Sequence, residues 1–189
     1  MQKIKVGNFM NKKKYNRIII LGPGGSGKTT LAKHISNETN IEVYHLDKEY
    51  WLPNWKRPNE EDWNNKLSGL VSKDSWIMDG NYIDSLGIRL ERADLVIMLD
   101  IDISMCIVSI FFRTIKAHFV KRKDLAEGCD DKFDESRKEF VKWTKKFKTS
   151  YFPQLMDLCV KYPHVDLKLF RTRKSAREFI ERIKELYEE

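Results

Sequence analysis

Apolar residues fall in short unbroken runs, each followed by a polar or glycine-rich break and then an amphipathic stretch. Residues 17–21 (Arg-Ile-Ile-Ile-Leu) form a β-branched run closed by glycines, the pattern of a strand buried on both faces of a parallel sheet. A helix is predicted over about 28–38, and a second short strand over 43–46, ending in Asp47. After a loop carrying Trp51, Pro53, Trp55 and Pro58, Asn59 can cap a helix with Asp62 in the capping-box position and Trp63, Leu67, Leu70 and Val71 on its apolar face. Residues 75–78 and 94–99 read as the third and fourth strands, and 165–170 as the fifth. Helices are predicted over 104–117, over 134–149 with Phe140, Trp143 and Phe147 on one stripe, from about Pro153, and over 174–187. Five strands alternating with helices predict an α/β fold, a parallel sheet with right-handed crossovers.

With 189 residues, 41% hydrophobic and 12% aromatic, the chain can bury a core despite 33% charged residues, so a single domain is predicted over 17–189. Residues 1–16 read as a flexible basic N-terminal extension, of which the leading nine look dispensable or a misassigned start. Cys106, Cys129 and Cys159 are far apart and the four histidines lack ligand spacing, which argues against a zinc site or a disulfide framework. The longest uncharged apolar run, residues 103–112, is too short to cross a bilayer, and no signal-like h-region precedes it, so the expected location is cytoplasmic and no membrane partner is expected.

The chemistry is concentrated after the first strand. Gly22-Pro23-Gly24-Gly25-Ser26-Gly27-Lys28-Thr29 fits G-x-x-x-x-G-K-[ST] between a buried strand and a helix. Backbone N–H groups of such a loop turn inward around phosphate oxygens at a helix N-terminus; Lys28 reaches the β- and γ-phosphates, and Thr29 ligates Mg²⁺. Thr30 completes the nucleotide-binding set. Gly22, Gly24 and Gly27 also satisfy the dinucleotide pattern G-x-G-x-x-G, with Asp47 where a ribose-binding acid belongs, but a Lys-Thr pair after the last glycine has no use in that fold. ATP and Mg²⁺ are therefore the expected cofactors.

Ligands of open parallel sheets bind at the carboxyl ends of the strands. Asp79, ending the third strand, is the candidate that orients Mg²⁺ with Thr29. Asp47 either accepts the proton of an attacking hydroxyl or caps the following turn. Asp100 and Asp102 read as helix caps, and His45 has no assigned role. Arg113, Lys116, Lys121, Arg122 and Lys123 cluster after the fourth strand plus one helix, where a phosphate-clamping lid is expected at about 113–133; Arg113 and Arg122 are the candidate catalytic cations. Arg89 and Arg92 either clamp the acceptor or lie on a helix surface.

Taken together, the phosphate loop, Tyr44-His45-Leu46-Asp47, the Trp55–Pro58 loop, Asp79-Gly80-Asn81-Tyr82, Leu99-Asp100-Ile101 and Arg171-Thr172-Arg173 resemble the bacterial topology-modulation protein family, which is similar to adenylate-kinase-type P-loop kinases. The resemblance spans about 17–179. It implies a three-layer P-loop NTPase with sheet order 2-3-1-4-5, a helical lid after the fourth strand, and Arg113 stacking on adenine at the start of that lid. It also implies Lys28 and Thr29 in the phosphate loop, with Asp79 on the metal side. Gly80-Asn81-Tyr82 departs from the adenylate-kinase Gly-Phe-Pro-Arg, so a nucleoside monophosphate acceptor does not carry over.

The expected activity is transfer of the γ-phosphate of ATP to a small-molecule acceptor, nucleoside- or nucleotide-like, held by Asn81, Tyr82, Trp51 and Trp55. A DNA-binding ATPase or regulator of DNA topology is the alternative. The charge pattern disfavours it: the net +7 resides in residues 1–17, with six positive and no negative charges, and in residues 113–148, with twelve and seven. The rest of the chain, with seventeen and twenty-one, is mildly acidic, which suits a nucleotide clamp better than a broad nucleic-acid surface.

Overall fold

The computed structural model describes residues 14–119, 124–129 and 135–187. Five strands, β1 (Arg17–Leu21), β2 (Val43–His45), β3 (Trp76–Asp79), β4 (Leu95–Leu99) and β5 (Asp166–Phe170), form one parallel sheet in the order β2-β3-β1-β4-β5, as the resemblance implied. The helices are α1 (Lys28–Thr39), α2 (Leu46–Tyr50), α3 (Glu60–Val71), α4 (Leu86–Leu90), α5 (Ile103–Phe119), α6 (Glu135–Lys146), α7 (Phe152–Cys159) and α8 (Arg173–Ile183), with a π-helical turn at Phe147–Tyr151. Residues 1–13 of the basic tail, and Lys121, Arg122 and Lys123, lie outside the described residues, whereas Tyr15 is buried against the core.

Strand alternation explains the three layers. Ile18 and Ile20 pack with Leu31, Ile35, Phe179 and Ile180 on the α1/α8 side. Ile19 and Leu21 face Trp63, Leu67, Leu90 and Leu155 on the other. The four apolar residues of β1 are fully buried, each worth about 1.5–3 kcal/mol of transfer free energy. Helix ends follow local chemistry. The Asn59 side chain accepts from the Glu61 amide at 2.9 Å to start α3, and Thr172 accepts from the Ser175 amide at 3.0 Å to start α8. α1 ends where Asn40 adopts a left-handed conformation and donates to Ser36 O.

Two boundaries differ from the sequence expectation. β2 stops at His45 because Leu46 and Asp47 turn into the first turn of α2, so Asp47 lies on a helix and not at a strand end. The long helix expected over 134–149 gives way after Lys146 to the π-helical turn, which places both Phe147 and Tyr151 beside Trp143.

The sheet order makes β1 the switch point: α1 leaves it toward β2 on one side, and β4 lies on the other. The register Ile20↔Asp79 between β1 and β3, and His45↔Asp79 between β2 and β3, brings three strand ends to one edge beside Gly22. That edge is where a ligand belongs in such a sheet.

Candidate functional site

The loop from Gly22 to Gly27 leaves β1 and opens α1. Gly25 has φ 73°, and a Cβ there would stand 2.3 Å from Cys106 O on α5, so only glycine fits. α6 crosses the loop from above: a Cβ on Gly24 would meet Phe140 Cζ at 2.5 Å and Thr144 Oγ1 at 2.8 Å. From the side, Arg173 at the start of α8 donates through Nε to Ser26 O at 3.1 Å and through a terminal nitrogen to Gly25 O and Ser109 Oγ, both at 2.7 Å. Arg173 thus ties the loop to α5 and α8.

Lys28 donates from Nζ to Gly22 O and Pro23 O, each at 2.9 Å. Burial lowers its pKa below the ordinary 10.5, against the opposing pull of Asp79 and Asp47, and the positive Arg113 lowers it further. A partly buried ammonium bonded, among the described residues, only to carbonyls is one sign that the loop is built for an anion. Ser26 Oγ is another: it is fully buried and has no hydrogen-bond partner among the described residues. A polyphosphate in the loop answers both, so the residues present fit it.

Asp79 is buried and held on both oxygens. Thr29 Oγ1 donates to Oδ2 at 2.7 Å, and His45 Nδ1 lies 2.6 Å from Oδ1, a contact that puts the imidazole proton on Nδ1. The hydroxyl–carboxylate pair Thr29–Asp79 is an all-oxygen donor set next to the phosphate loop, which suits Mg²⁺. His45 is the residue the sequence reading passed over; it faces Asp79 because the two are register partners in adjacent parallel strands.

Beyond Asp79 the chain makes a strained turn in which Tyr82 has φ 35°, a left-handed conformation. Asn81 reaches back to the phosphate loop: its Oδ1 accepts from the Gly22 amide at 3.0 Å and its Nδ2 donates to Gly22 O at 2.9 Å. Tyr82 donates to Asp47 Oδ1 at 2.8 Å. Burial, and then the Asp47 carboxylate, push the Tyr82 phenol up, so it remains a donor. Arg89 lies beneath this turn, fully buried, and donates to Gly80 O at 2.8 Å, Asn81 O at 2.5 Å and Tyr82 O at 3.2 Å. Both readings offered for Arg89, an acceptor clamp or a helix surface, are therefore replaced: its guanidinium is an internal pin. Burial holds its pKa down to about 9.

Lys28, Thr29, His45, Asp47, Asp79, Asn81 and Tyr82 line one cavity of about 1390 Å³ that also takes in Trp51, Trp55, Arg57 and Leu125. Arg113 lies on α5, well before that helix ends; its guanidinium sits 5.9 Å over the Phe140 ring, and it faces the cavity close enough to Lys28 to influence it. The segment 124–129 roofs the aromatic end. Gly128 O accepts from the Asn54 amide at 3.1 Å, and Cys129 Sγ lies 3.3 Å from Leu52 O. Asp102 caps α5 through the Ser104 amide at 2.8 Å as expected, whereas Asp100 pairs with Lys148 at 3.1 Å. Arg122 lies outside the described residues.

The family model described as the NB-ARC domain matches residues 1–123. No match to a curated protein was found. Among solved structures, shikimate kinase from Acinetobacter baumannii in complex with shikimate is 15% identical, covers 90% of this chain and 92% of its own, and has a TM-score of 0.55. Shikimate kinase from Bacteroides thetaiotaomicron is 19% identical over 93% of this chain and 100% of that one, with a TM-score of 0.47. Deoxyadenosine kinase from M. mycoides with bound dATP is 14% identical over 91% and 99%, with a TM-score of 0.48. The first of these likenesses shows the fold, that of a P-loop kinase.

Proposed function

The chain belongs to the NB-ARC domain family of P-loop NTPases, and from that premise we propose that it is an ATP-dependent phosphotransferase acting on a small acceptor. The observation that carries this reading is the union, in one cavity, of the phosphate loop with an aromatic compartment lined by Trp51, Trp55 and Tyr82, the last of which donates to Asp47. A nucleotide hydrolase needs no such aromatic lining beside its phosphate loop.

In this reading Lys28, Ser26 and the loop amides hold the β- and γ-phosphates, and Arg113 and Arg122 neutralise charge on the transferred group. Thr29 and Asp79 would hold Mg²⁺, with His45 fixing the Asp79 carboxylate; an ion held there would supply neutralisation of phosphate charge. Asp47 accepts the proton of the acceptor hydroxyl as its oxygen forms a bond to γ-phosphorus and the bond from that phosphorus to the leaving ADP oxygen breaks. A nucleoside suits the aromatic compartment better than a nucleotide. Arg89 is occupied with backbone carbonyls, which leaves Arg57 as the acceptor-side guanidinium lining the cavity. The proposed unit is one P-loop domain over 17–189 with a lid at about 113–133. The finer resemblance to topology-modulation proteins rests on the Tyr44–Asp47 and Asp79–Tyr82 motifs.

The test is an ADP-release screen over nucleosides, nucleotides, sugars and small acids, with and without duplex DNA. ADP formation that requires an acceptor, peaks with nucleosides and ignores DNA is the expected result. Release driven by duplex DNA with no acceptor replaces this reading with a DNA-dependent ATPase.

A further inference from the structure

α5 has two unlike sides. Cys106, Ile110 and Thr114 are buried in the fold, and Ser109 and Arg113 face Arg173 and the cavity. The third arc carries Met105, Val108, Phe112 and Ile115, spaced i, i+3, i+7 and i+10, with Phe111 beside them, and it is exposed. Their exposures are 53%, 53%, 64%, 39% and, for Phe111, 54%. Over residues 103–115 the one charge is Arg113, which points away from this arc toward the cavity. In a chain that is one-third charged, three helical turns of exposed, uncharged, large apolar side chains mark a candidate contact surface.

We infer that this face of α5 is where two copies of the chain pair about a two-fold axis. The exposed parts of the five side chains amount to roughly 500 Å² of apolar surface, at the upper end of what a monomer leaves in one patch. Two copies that covered all of it would bury about 1000 Å² from these residues, before any rim is counted, which reaches the floor for a specific interface. An uncharged apolar ridge is complementary to itself: antiparallel pairing sets one ridge into the groove of the other and desolvates no ion. A lipid surface is less suited, because a membrane-seeking helix carries a basic solvated face opposite its apolar one, and here the opposite face is core. An interface at this floor of area belongs among the weak, transient ones. The interface adjoins the cavity, since Phe112 borders both.

The test is sedimentation velocity on the full chain across about 1–100 µM, high enough to populate a weak dimer. The wild type is expected to move from 22.5 kDa toward twice that mass as concentration rises. Val108→Glu places two carboxylates in the two-fold interface and should weaken pairing by at least about 100-fold while far-UV dichroism and melting are unchanged. A second variant guards against misfolding. Val108→Cys should form an intermolecular disulfide under mild oxidant, against a silent background because Cys106, Cys129 and Cys159 are buried. A wild type that stays at 22.5 kDa throughout, a V108E protein that remains dimeric, or a monomer that floats with anionic vesicles through this face overturns the inference.

Discussion

Arg89→Met is the substitution that most sharply tests how the turn after β3 is held. Methionine fills most of the guanidinium's space, so little cavity opens, and the change isolates the loss of three donated hydrogen bonds to Gly80 O, Asn81 O and Tyr82 O. Charge-assisted bonds of this kind are worth about 1.5–3 kcal/mol each, and the carbonyls they leave behind are orphaned. Against this stands the recovery of a buried cation with no carboxylate partner among the described residues and an Nε with no acceptor, a desolvation cost of several kcal/mol. The difference puts R89M at about 2–4 kcal/mol less stable than wild type, with R89A worse because it adds a cavity. At urea m-values of about 1–3 kcal/mol/M the midpoint should fall by roughly 1–2 M. The turn carries Asn81 against Gly22 and Tyr82 against Asp47, so the variant should also raise the acceptor KM more than the nucleotide KM. An R89M protein as stable as wild type would refute the reasoning, showing that the strained turn holds itself and that burying the cation is a net cost.

Nucleotide affinity should fall on the alkaline side. The unliganded Lys28 pKa is lowered by burial and phosphate raises it again, so above the unliganded value binding must take up a proton, weakening by up to about tenfold per pH unit until the liganded value is reached. Titration calorimetry at pH 7–10 checks this, and a flat profile contradicts it. His45→Ala removes the second partner of Asp79 and should raise the Mg²⁺ requirement about tenfold while leaving metal-free nucleotide binding unchanged; an unmoved Mg²⁺ titration counts against the positioning role. Burial raises the Asp94 pKa, but bonds from the Arg17 side chain and the Asn16 and Arg17 amides outweigh it and hold the carboxyl below its ordinary 3.8. Its stabilisation is therefore present above the unfolded pKa and lost as pH falls through the lower folded one. Asp94→Asn should cost about 2 kcal/mol at pH 7 and flatten the acid limb of a stability–pH curve; an unchanged acid limb refutes it.

What was legible in the sequence was whatever is local. The β1 run, the phosphate loop and Asp79 at the end of β3 are each set by a few neighbouring residues, and the sheet places them together because β1 and β3 pair in register. The partners that tighten the site are long-range. Arg173 meets Gly25 across 148 residues of chain, and no spacing rule connects a helix-starting arginine to a loop carbonyl that far away. His45 was passed over because alternation along β2 was read without the β2–β3 register, the one piece of information that aims it at Asp79. Sequence leaves Arg89 open between an acceptor clamp and a helix surface; only its burial under the turn shows that its donors are already used. Asp47 was placed at a strand end for the same reason a short helix is hard to read: α2 is five residues long and has no periodicity to reveal it.

The most direct measurement of the central claim follows the γ-phosphoryl group itself, using γ-labelled ATP with Mg²⁺ and a nucleoside acceptor, for wild type and Lys28→Ala in parallel. The account predicts label in the acceptor, stoichiometric with ADP, and its loss by about 10³-fold or more in K28A. Label recovered as inorganic phosphate with none on any acceptor, or full transfer by K28A, would contradict it.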